Sequence, residues 1–282
     1  VGFRSLGYGA KVKRPREGWL DGGFNVLCDF RYVESPRLDL YFDHHPTAFD
    51  DEAARDKALM EGAGKVFFDP AAPSCAGLVA RSAITLTGEP LGHDELVRWA
   101  DVTDTAGFAD AEEGFFARAP GLALADLVER SGDGPFLELV VPMLLERGIA
   151  AVLELPDHAS QLAEIVRDKE RHLRTVREVG LPIGDVVWLD LLAVPHTSAG
   201  KFAAYVAYPR CTYAVAVLPD RRGAKLAIGY NPWTDAPRRH DIGRICEAEG
   251  GGGHAQVGGA HFGDPELARR VGLRIAHELA ST

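Results

Sequence analysis

No apolar run in this 282-residue chain approaches the roughly 18 residues needed to cross a bilayer as a helix. Its opening stretch, VGFRSLGYGAKVK, has no apolar core of the secretory-signal type. Cysteine is scarce: Cys28, Cys75, Cys211 and Cys246 are scattered, with no CxxC pair. That argues against a zinc ribbon or a redox dithiol. A disulfide framework is not expected in a chain this long, and the thiols are expected to be reduced, as in the cytoplasm. Positive charge is also in deficit, with 31 Lys+Arg against 41 Asp+Glu and a formal charge of −10. A protein that tracks long nucleic acid carries a basic stripe. The small clusters Lys11, Lys13, Arg14, Arg16 and Arg221–Arg222 read instead as solvated faces. A processive enzyme on long duplex DNA is therefore disfavoured, whereas a small anionic substrate held by local groups is not.

What remains is an ordinary globular mixture, 46% hydrophobic and 26% charged, with apolar mass for two modest domains. The 31 Gly and 17 Pro lie among apolar periodicities rather than in repeats, which excludes collagen-like and disordered chains. Phe24–Cys28 reads as a buried strand ending at Asp29. Leu38–Phe42 reads as a second strand ending at Asp43-His44-His45, with Glu34-Ser35-Pro36 as the turn between them. Helical patterns open at Pro73-Ser74 and at Asp94, so short buried strands alternate with amphipathic helices, the order of an α/β domain with a parallel sheet. From Asp157 to Val179 a charged, periodic segment with Leu162, Ile165, Val166, Leu173 and Val176 as its stripe predicts a long helix, closed by Gly180 and Pro182. Beyond it, Val186–Leu189 starts a second α/β unit. There Tyr213–Leu218 and Lys225–Ile228 flank an Asp220–Gly223 turn as a hairpin, and Asp264-Pro265 opens a final helix. The expected division is 1–155, a linker helix over 156–183, and a smaller mixed-sheet domain over 184–282.

Three constellations carry chemistry. In open α/β sheets ligands bind outside the carboxyl ends of the strands, where Asp29 and Asp43 project with His44 and His45 beside them. Carboxylates near imidazoles suit manganese or magnesium better than a thiolate-bound metal. Asp101 and Asp104 are spaced to share a helix face, and two like charges there call for a positive partner such as a metal; whether Asp101 joins such a site is left open. Gly250–Gly253 precede His254, with Gly258-Gly259 shortly after. Four consecutive glycines are costly to order, and they read as a loop whose backbone N–H groups approach an anion, with His254 adding a side-chain donor.

Together these features resemble the DHH phosphoesterase superfamily. Asp43-His44-His45 matches its signature triplet, Gly251-Gly252-Gly253-His254 matches the GGGH motif of its C-terminal DHHA1 domain, and Asp29 and Asp104 fall at its second and fourth motifs. The resemblance implies a two-domain α/β fold, a parallel-sheet DHH domain and a smaller mixed-sheet DHHA1 domain joined by a helical linker. It implies that Asp29, Asp43, His44 and Asp104 hold two manganese ions, with magnesium as a substitute. It implies further that His45 contacts the substrate phosphate as the catalytic histidine, and that Gly251, Gly252, Gly253 and His254 bind the far part of the substrate. Two cations so placed stabilise the attacking and leaving oxygens of a phosphoryl displacement.

The family's opening motif, His-x-Asp-x-Asp-Gly, has no counterpart upstream of Asp29, since Trp19–Gly23 offers one acid and no histidine. The expectation is that roughly 30 to 40 residues, one strand and one helix, precede Val1 and carry it, or that the domain is degenerate. The arginine and serine that often precede the family's glycine loop appear here as Gly229–Trp233, so metal chemistry carries over further than substrate choice. The leading expectation is a cytoplasmic, manganese-dependent phosphoesterase acting on a short oligonucleotide, a cyclic dinucleotide or a bisphosphorylated nucleoside. It needs neither long duplex nucleic acid nor a membrane, and a homodimer is compatible with it. The alternatives are a pyrophosphatase or exopolyphosphatase, and a degenerate nucleotide-binding module.

Overall fold

A computed structural model describes residues 2, 4, 6, 15–132, 134–194, 202–221 and 223–281. Lys11, Lys13, Arg14 and Arg222 of the basic clusters lie outside them. The protein is mixed α/β. Its elements in chain order are β1 (Val26–Cys28), β2 (Leu40–Asp43), α1 (Glu52–Glu61), β3 (Val66–Phe68), α2 (Cys75–Thr87), α3 (Asp94–Asp104), α4 (Ala111–Phe116), α5 (Pro120–Ser131) and α6 (Gly134–Leu153). There follow α7 (Pro156–Val179), β4 (Leu181–Ile183), β5 (Val186–Asp190), α8 (Ala203–Ala207), β6 (Tyr213–Asp220), β7 (Gly223–Tyr230), α9 (Ile242–Ala248), β8 (Gly252–His254), β9 (Val257–Phe262) and α10 (Pro265–Ala280). Two compact units result. One comprises 1–108 and 119–159, the other 109–118 and 160–282.

The first unit is built on a parallel sheet of order β1-β2-β3. Alternation along β2 sends Tyr41 and Asp43 to one face and Phe42 to the other. Tyr41 packs edge-on against Tyr32 and Phe49, with ring centroids 5.1 and 5.9 Å away. Phe42 stacks on Phe67 at 5.0 Å and packs with Ala72, Cys75 and Leu78. Helix α2 starts where Ser74 caps it, its Oγ accepting from the Gly77 N–H at 2.9 Å. The expected buried first strand is corrected: among the described residues β1 pairs only with β2, and only Leu27 of its three residues is buried while Phe24 and Val26 stay 65% and 47% exposed. A strand covered on one face buries every second side chain, not all of them.

The second unit holds a six-stranded mixed sheet of order β4-β5-β6-β7-β9-β8, in which β5 and β6 are parallel and every other pair is antiparallel. One face packs Trp188, Leu226 and Ile228 against Ile242, Cys246, Ile275 and Leu279 of α9 and α10. The other packs Val187, Leu189 and Ala214 against Tyr205 of α8, Leu173 and Val176 of α7, and Phe115 of α4. The anticipated hairpin is β6–β7, paired from Tyr213↔Tyr230 to Asp220↔Gly223. Helix α10 is capped by Asp264, whose carboxylate accepts from the Glu266 N–H at 2.9 Å. Along α7 the buried stripe differs from the expected one. Val166 is 41% exposed and Lys169 is buried in its stead, because the spacing 162, 165, 169, 173, 176 stays on one face and residue 166 drifts off it. No helix among the described residues is long and apolar enough to cross a membrane.

Candidate functional site

The carboxyl ends of β1 and β2 lie side by side, because Cys28 pairs with Phe42 and the Asp29 N–H donates to the Phe42 carbonyl at 2.9 Å. Asp29 then turns the chain with φ +58°, a left-handed conformation that a non-glycine residue adopts at a cost. Its carboxylate meets the two histidines that follow β2. Asp29 Oδ1 is 3.5 Å from His44 Nε2 and 3.4 Å from His45 Nδ1, and these three residues group as one candidate ligand cluster. Asp104, the last residue of α3, places Oδ2 3.1 Å from His44 Nε2.

His44 is the pivot. Its Nδ1 is 2.9 Å from the Ala72 carbonyl, which can only accept, so Nδ1 carries a proton and donates it. Its Nε2 is buried, has no hydrogen-bond partner, and faces the carboxylates of Asp104 and Asp29. A neutral ring would aim a lone pair at two anions there. A cation between these groups, or a second ring proton, removes that repulsion. The donor set of imidazole nitrogen and carboxylate oxygen fits a divalent cation of the manganese or magnesium class. Burial raises the Asp29 carboxyl above its ordinary range; His45 and His44 oppose this, while Asp104 and Asp43 add to it.

Asp43 plays a different part. It is fully buried, and its Oδ1 accepts from the His45 backbone N–H and from His45 Nδ1, each at 2.9 Å. Its Oδ2 lies 2.8 Å from the Tyr41 hydroxyl, which is also 2.9 Å from the Phe30 carbonyl. Asp43 thus fixes the ring orientation of His45 and leaves Nε2 as that ring's uncommitted nitrogen. Asp101 is engaged elsewhere: it accepts from Ser74 Oγ at 2.5 Å and so ties α3 to the N-terminus of α2. The positive partner that its spacing with Asp104 called for is, for Asp101, a hydroxyl donor. Tyr41, Ala72 and Ser74, which set the positions of Asp43, His44 and Asp101, carry no sequence motif. Only the shared face of residues 41 and 43 on one strand could have pointed to the first.

The glycine run belongs to the second unit and is a strand rather than an open loop. Gly252–His254 form β8, paired antiparallel with β9 at the sheet edge. Gly250, at φ +76°, reverses the chain after α9. A Cβ on Gly251 would lie 2.1 Å from the Gly259 carbonyl, and one on Gly253 2.3 Å from the Val257 carbonyl, so close backbone contact requires both. A Cβ on Gly252 would meet nothing within 4 Å. Gly252 and the exposed His254 therefore stand apart from their neighbours as positions that packing leaves open.

No protein-family model matches the sequence. A comparison with curated protein sequences also gives no match. Solved structures do resemble it. A pGpG-specific phosphodiesterase, PggH of Vibrio cholerae, superimposes with a TM-score of 0.71 at 22% identity, over 91% of this chain and 83% of that one. An exopolyphosphatase-related protein from Bacteroides fragilis gives a TM-score of 0.47 at 14% identity, over 92% and 72%. The first of these establishes a shared fold.

Proposed function

We propose that this chain is a metal-dependent phosphoesterase of the DHH type, hydrolysing a small nucleotide-like substrate. The observation that carries the reading is His44 Nε2, buried without a partner and facing Asp104 and Asp29. A fold shared with a phosphodiesterase supports it, as do the DHH and GGGH motifs. Asp29, His44 and Asp104 would hold divalent cations, with Asp43 a further ligand should its carboxylate exchange the His45 bond for one. Manganese bound there would lower the pKa of a water and neutralise charge on the phosphoryl oxygens. The chain's own residues then have distinct tasks. The Ala72 carbonyl keeps the His44 proton on Nδ1, so that Nε2 presents its lone pair. Asp43 holds the His45 proton on Nδ1 and so fixes the ring for a contact with a phosphate oxygen. Gly252 and His254 are assigned to the rest of the substrate. The class we favour is a linear dinucleotide or bisphosphorylated nucleoside, whose few charges need no basic stripe.

Titrating Mn²⁺ and Mg²⁺ into chelator-treated protein, while following its melting temperature, tests the cation site. A ligand that binds only the folded state adds about 2.7 kcal/mol of stability at a hundred times its Kd. His44→Ala is expected to abolish that shift. Hydrolysis of pGpG, a nucleoside bisphosphate and pyrophosphate then ranks the substrates. Absence of any cation-dependent shift at millimolar metal would remove the metal site, and the enzymatic reading with it.

A further inference from the structure

Helix α3 brings Asp104 to His44, yet apolar packing gives it little grip. None of its eleven residues is buried, and His93, at its N-cap, makes no side-chain cap bond. Trp99 lies over Gly121 of α5, where a Cβ would fall 1.9 Å from the indole Cγ, and this contact holds the middle of the helix. The last turn is held by a polar contact instead. Asp101 Oδ1 accepts from Ser74 Oγ at 2.5 Å, and the same Oγ accepts from the Gly77 N–H at 2.9 Å. The Ser74 hydroxyl, buried at 3% exposure, is thus committed both as donor and as acceptor. Gly77 makes room for the contact. A Cβ there would lie 2.8 Å from Asp101 Oδ1 and 3.4 Å from Ser74 Oγ. Glycine inside a helix is less stable than alanine, so α2 forgoes helix stability at a position where alanine would push Asp101 away.

We infer that Asp101 is a positioning residue for the cation site, a role that rests on the function proposed above: through Ser74 it clamps the last turn of α3 to the start of α2. The clamp sets the spacing of two groups that grip His44 from opposite sides. One is the Ala72 carbonyl, two residues before Ser74, which takes the His44 Nδ1 proton at 2.9 Å. The other is Asp104, three residues after Asp101 on the same helix face, with Oδ2 3.1 Å from His44 Nε2. Contacts therefore close a circuit from His44 through Ala72, Ser74, Asp101 and Asp104 back to His44. Among the described residues His44 pairs with Asp29 and Asp104 and not with Asp101, so Asp101 acts on the site only through its neighbours.

The circuit has a physical task. Asp29 and Asp104 both approach His44 Nε2, at 3.5 and 3.1 Å, and two carboxylates drawn to one point repel each other until a cation lies between them. A helix end without buried side chains would yield to that repulsion and carry Asp104 outward. The bond to Ser74 resists it and keeps the ligands near their final spacing before the cation arrives.

Mn²⁺ is titrated calorimetrically into the chelator-treated full chain, with urea unfolding of each metal-free variant alongside to confirm that it is folded. Asp101→Ala should weaken Mn²⁺ binding about tenfold or more, as loss of a group that orients a ligand does. Asp101→Asn keeps an acceptor for the Ser74 hydroxyl and should restore most of that affinity. Gly77→Ala removes neither partner but drives them apart, and should weaken Mn²⁺ as Asp101→Ala does. The two alanine changes together should weaken it no more than one alone, since both break the same contact. Should Asp101→Ala fail to fold, Gly77→Ala set against wild type decides. Wild-type affinity in Asp101→Ala or in Gly77→Ala would overturn the inference, as would losses that add in the double variant. Asp101→Asn as weak as Asp101→Ala would make Asp101 a ligand and equally end its positioning role. Each of these results presupposes a wild type that binds Mn²⁺. A wild type that binds none would instead sink the metal reading, and the positioning role with it.

Discussion

In the three-stranded sheet, strands of three or four residues end in Asp29, Asp43, His44 and His45, and one imidazole nitrogen is buried with no partner. In the six-stranded sheet, strands of up to eight residues are covered on both faces, and the acids at their ends are paired, Asp185 with Arg239 and Asp190 with Arg269. The contrast is one of purpose. The first sheet gathers Asp29 and Asp104 around His44, with Asp29 in a left-handed conformation, the arrangement on which the cation site proposed above rests. The second resolves its charges internally and carries a large continuous apolar core. If the proposed function holds, stability and chemistry are separable along this chain, and each prediction below tests that separation.

The largest effect is expected in the second unit. Leu226 is fully buried between Trp188, Ile228 and Ile275. Leu226→Ala should cost about 2–5 kcal/mol in urea unfolding, from lost transfer energy and the cavity left behind. The Mn²⁺-induced shift of the still-folded protein should persist. Loss of cation binding in this variant would break the comparison, because it would couple the six-stranded core to the strand ends of the other sheet.

A smaller effect separates neighbours within the glycine run. Gly251→Ala drives a Cβ into the Gly259 carbonyl and the Ala260 side chain, which overpacking costs place at about 1–3 kcal/mol. Gly252→Ala meets open space and should change stability by less than about 0.5 kcal/mol. If Gly252 lies against substrate, as proposed, its alanine variant raises KM with the melting temperature unchanged. Equal destabilisation by both substitutions would show that β8 is a structural strand throughout.

These two variants also mark how far the sequence is legible. Glycine content is visible in a sequence, but the reason for each glycine is not. Gly251 and Gly253 answer to carbonyls of β9, a strand that the pattern reading took no account of, and so an edge strand was expected to be a loop. The β6–β7 hairpin and the capped start of α10 depend on residues close in sequence, and both were foreseen. The strand ends at Asp29 and Asp43 were legible for the same reason. What eluded the sequence was which atoms meet, whether the partners lie two residues away, as for Asp43, or 27, as for Asp101. Asp43 looked like one more acid beside His44, yet Tyr41 and His45 take up its oxygens; Asp101 looked like a partner of Asp104, yet Ser74 engages it. Residues 109–118, which place Phe115 among the buried side chains of the second unit, carry no local sign of that packing.

The smallest effects are the most discriminating, because they should carry opposite signs in the two sheets. In the second unit burial pushes the Asp185 carboxyl up, but hydrogen bonds from Thr212 and Arg239 and the Arg239 charge outweigh it, and the group titrates below its ordinary value. Its stabilising contribution is present above the ordinary carboxylate range and is lost as pH falls through it. Arg239→Ala should therefore cost about 0.2–1 kcal/mol near neutrality, and less on acidification as Asp185 is protonated in folded and unfolded chains alike. Asp29 has the reverse linkage. Burial raises its carboxyl, so the metal-free fold binds a proton more readily than the unfolded chain, and stability is lost as pH rises from the ordinary value through the raised one. Asp29→Asn should stabilise chelator-treated protein near neutrality, by less than about 1 kcal/mol because its side chain is half exposed and solvent-screened. That gain should fade in acid, where the wild-type carboxyl is already neutral, and become a loss once Mn²⁺ is added. Urea unfolding of both variants at neutral and acid pH, with and without metal, reads all of these signs together. A destabilised Asp29→Asn in the absence of metal would mean that the fold itself needs this carboxylate, and that the strained corner at the end of β1 was not built for a cation.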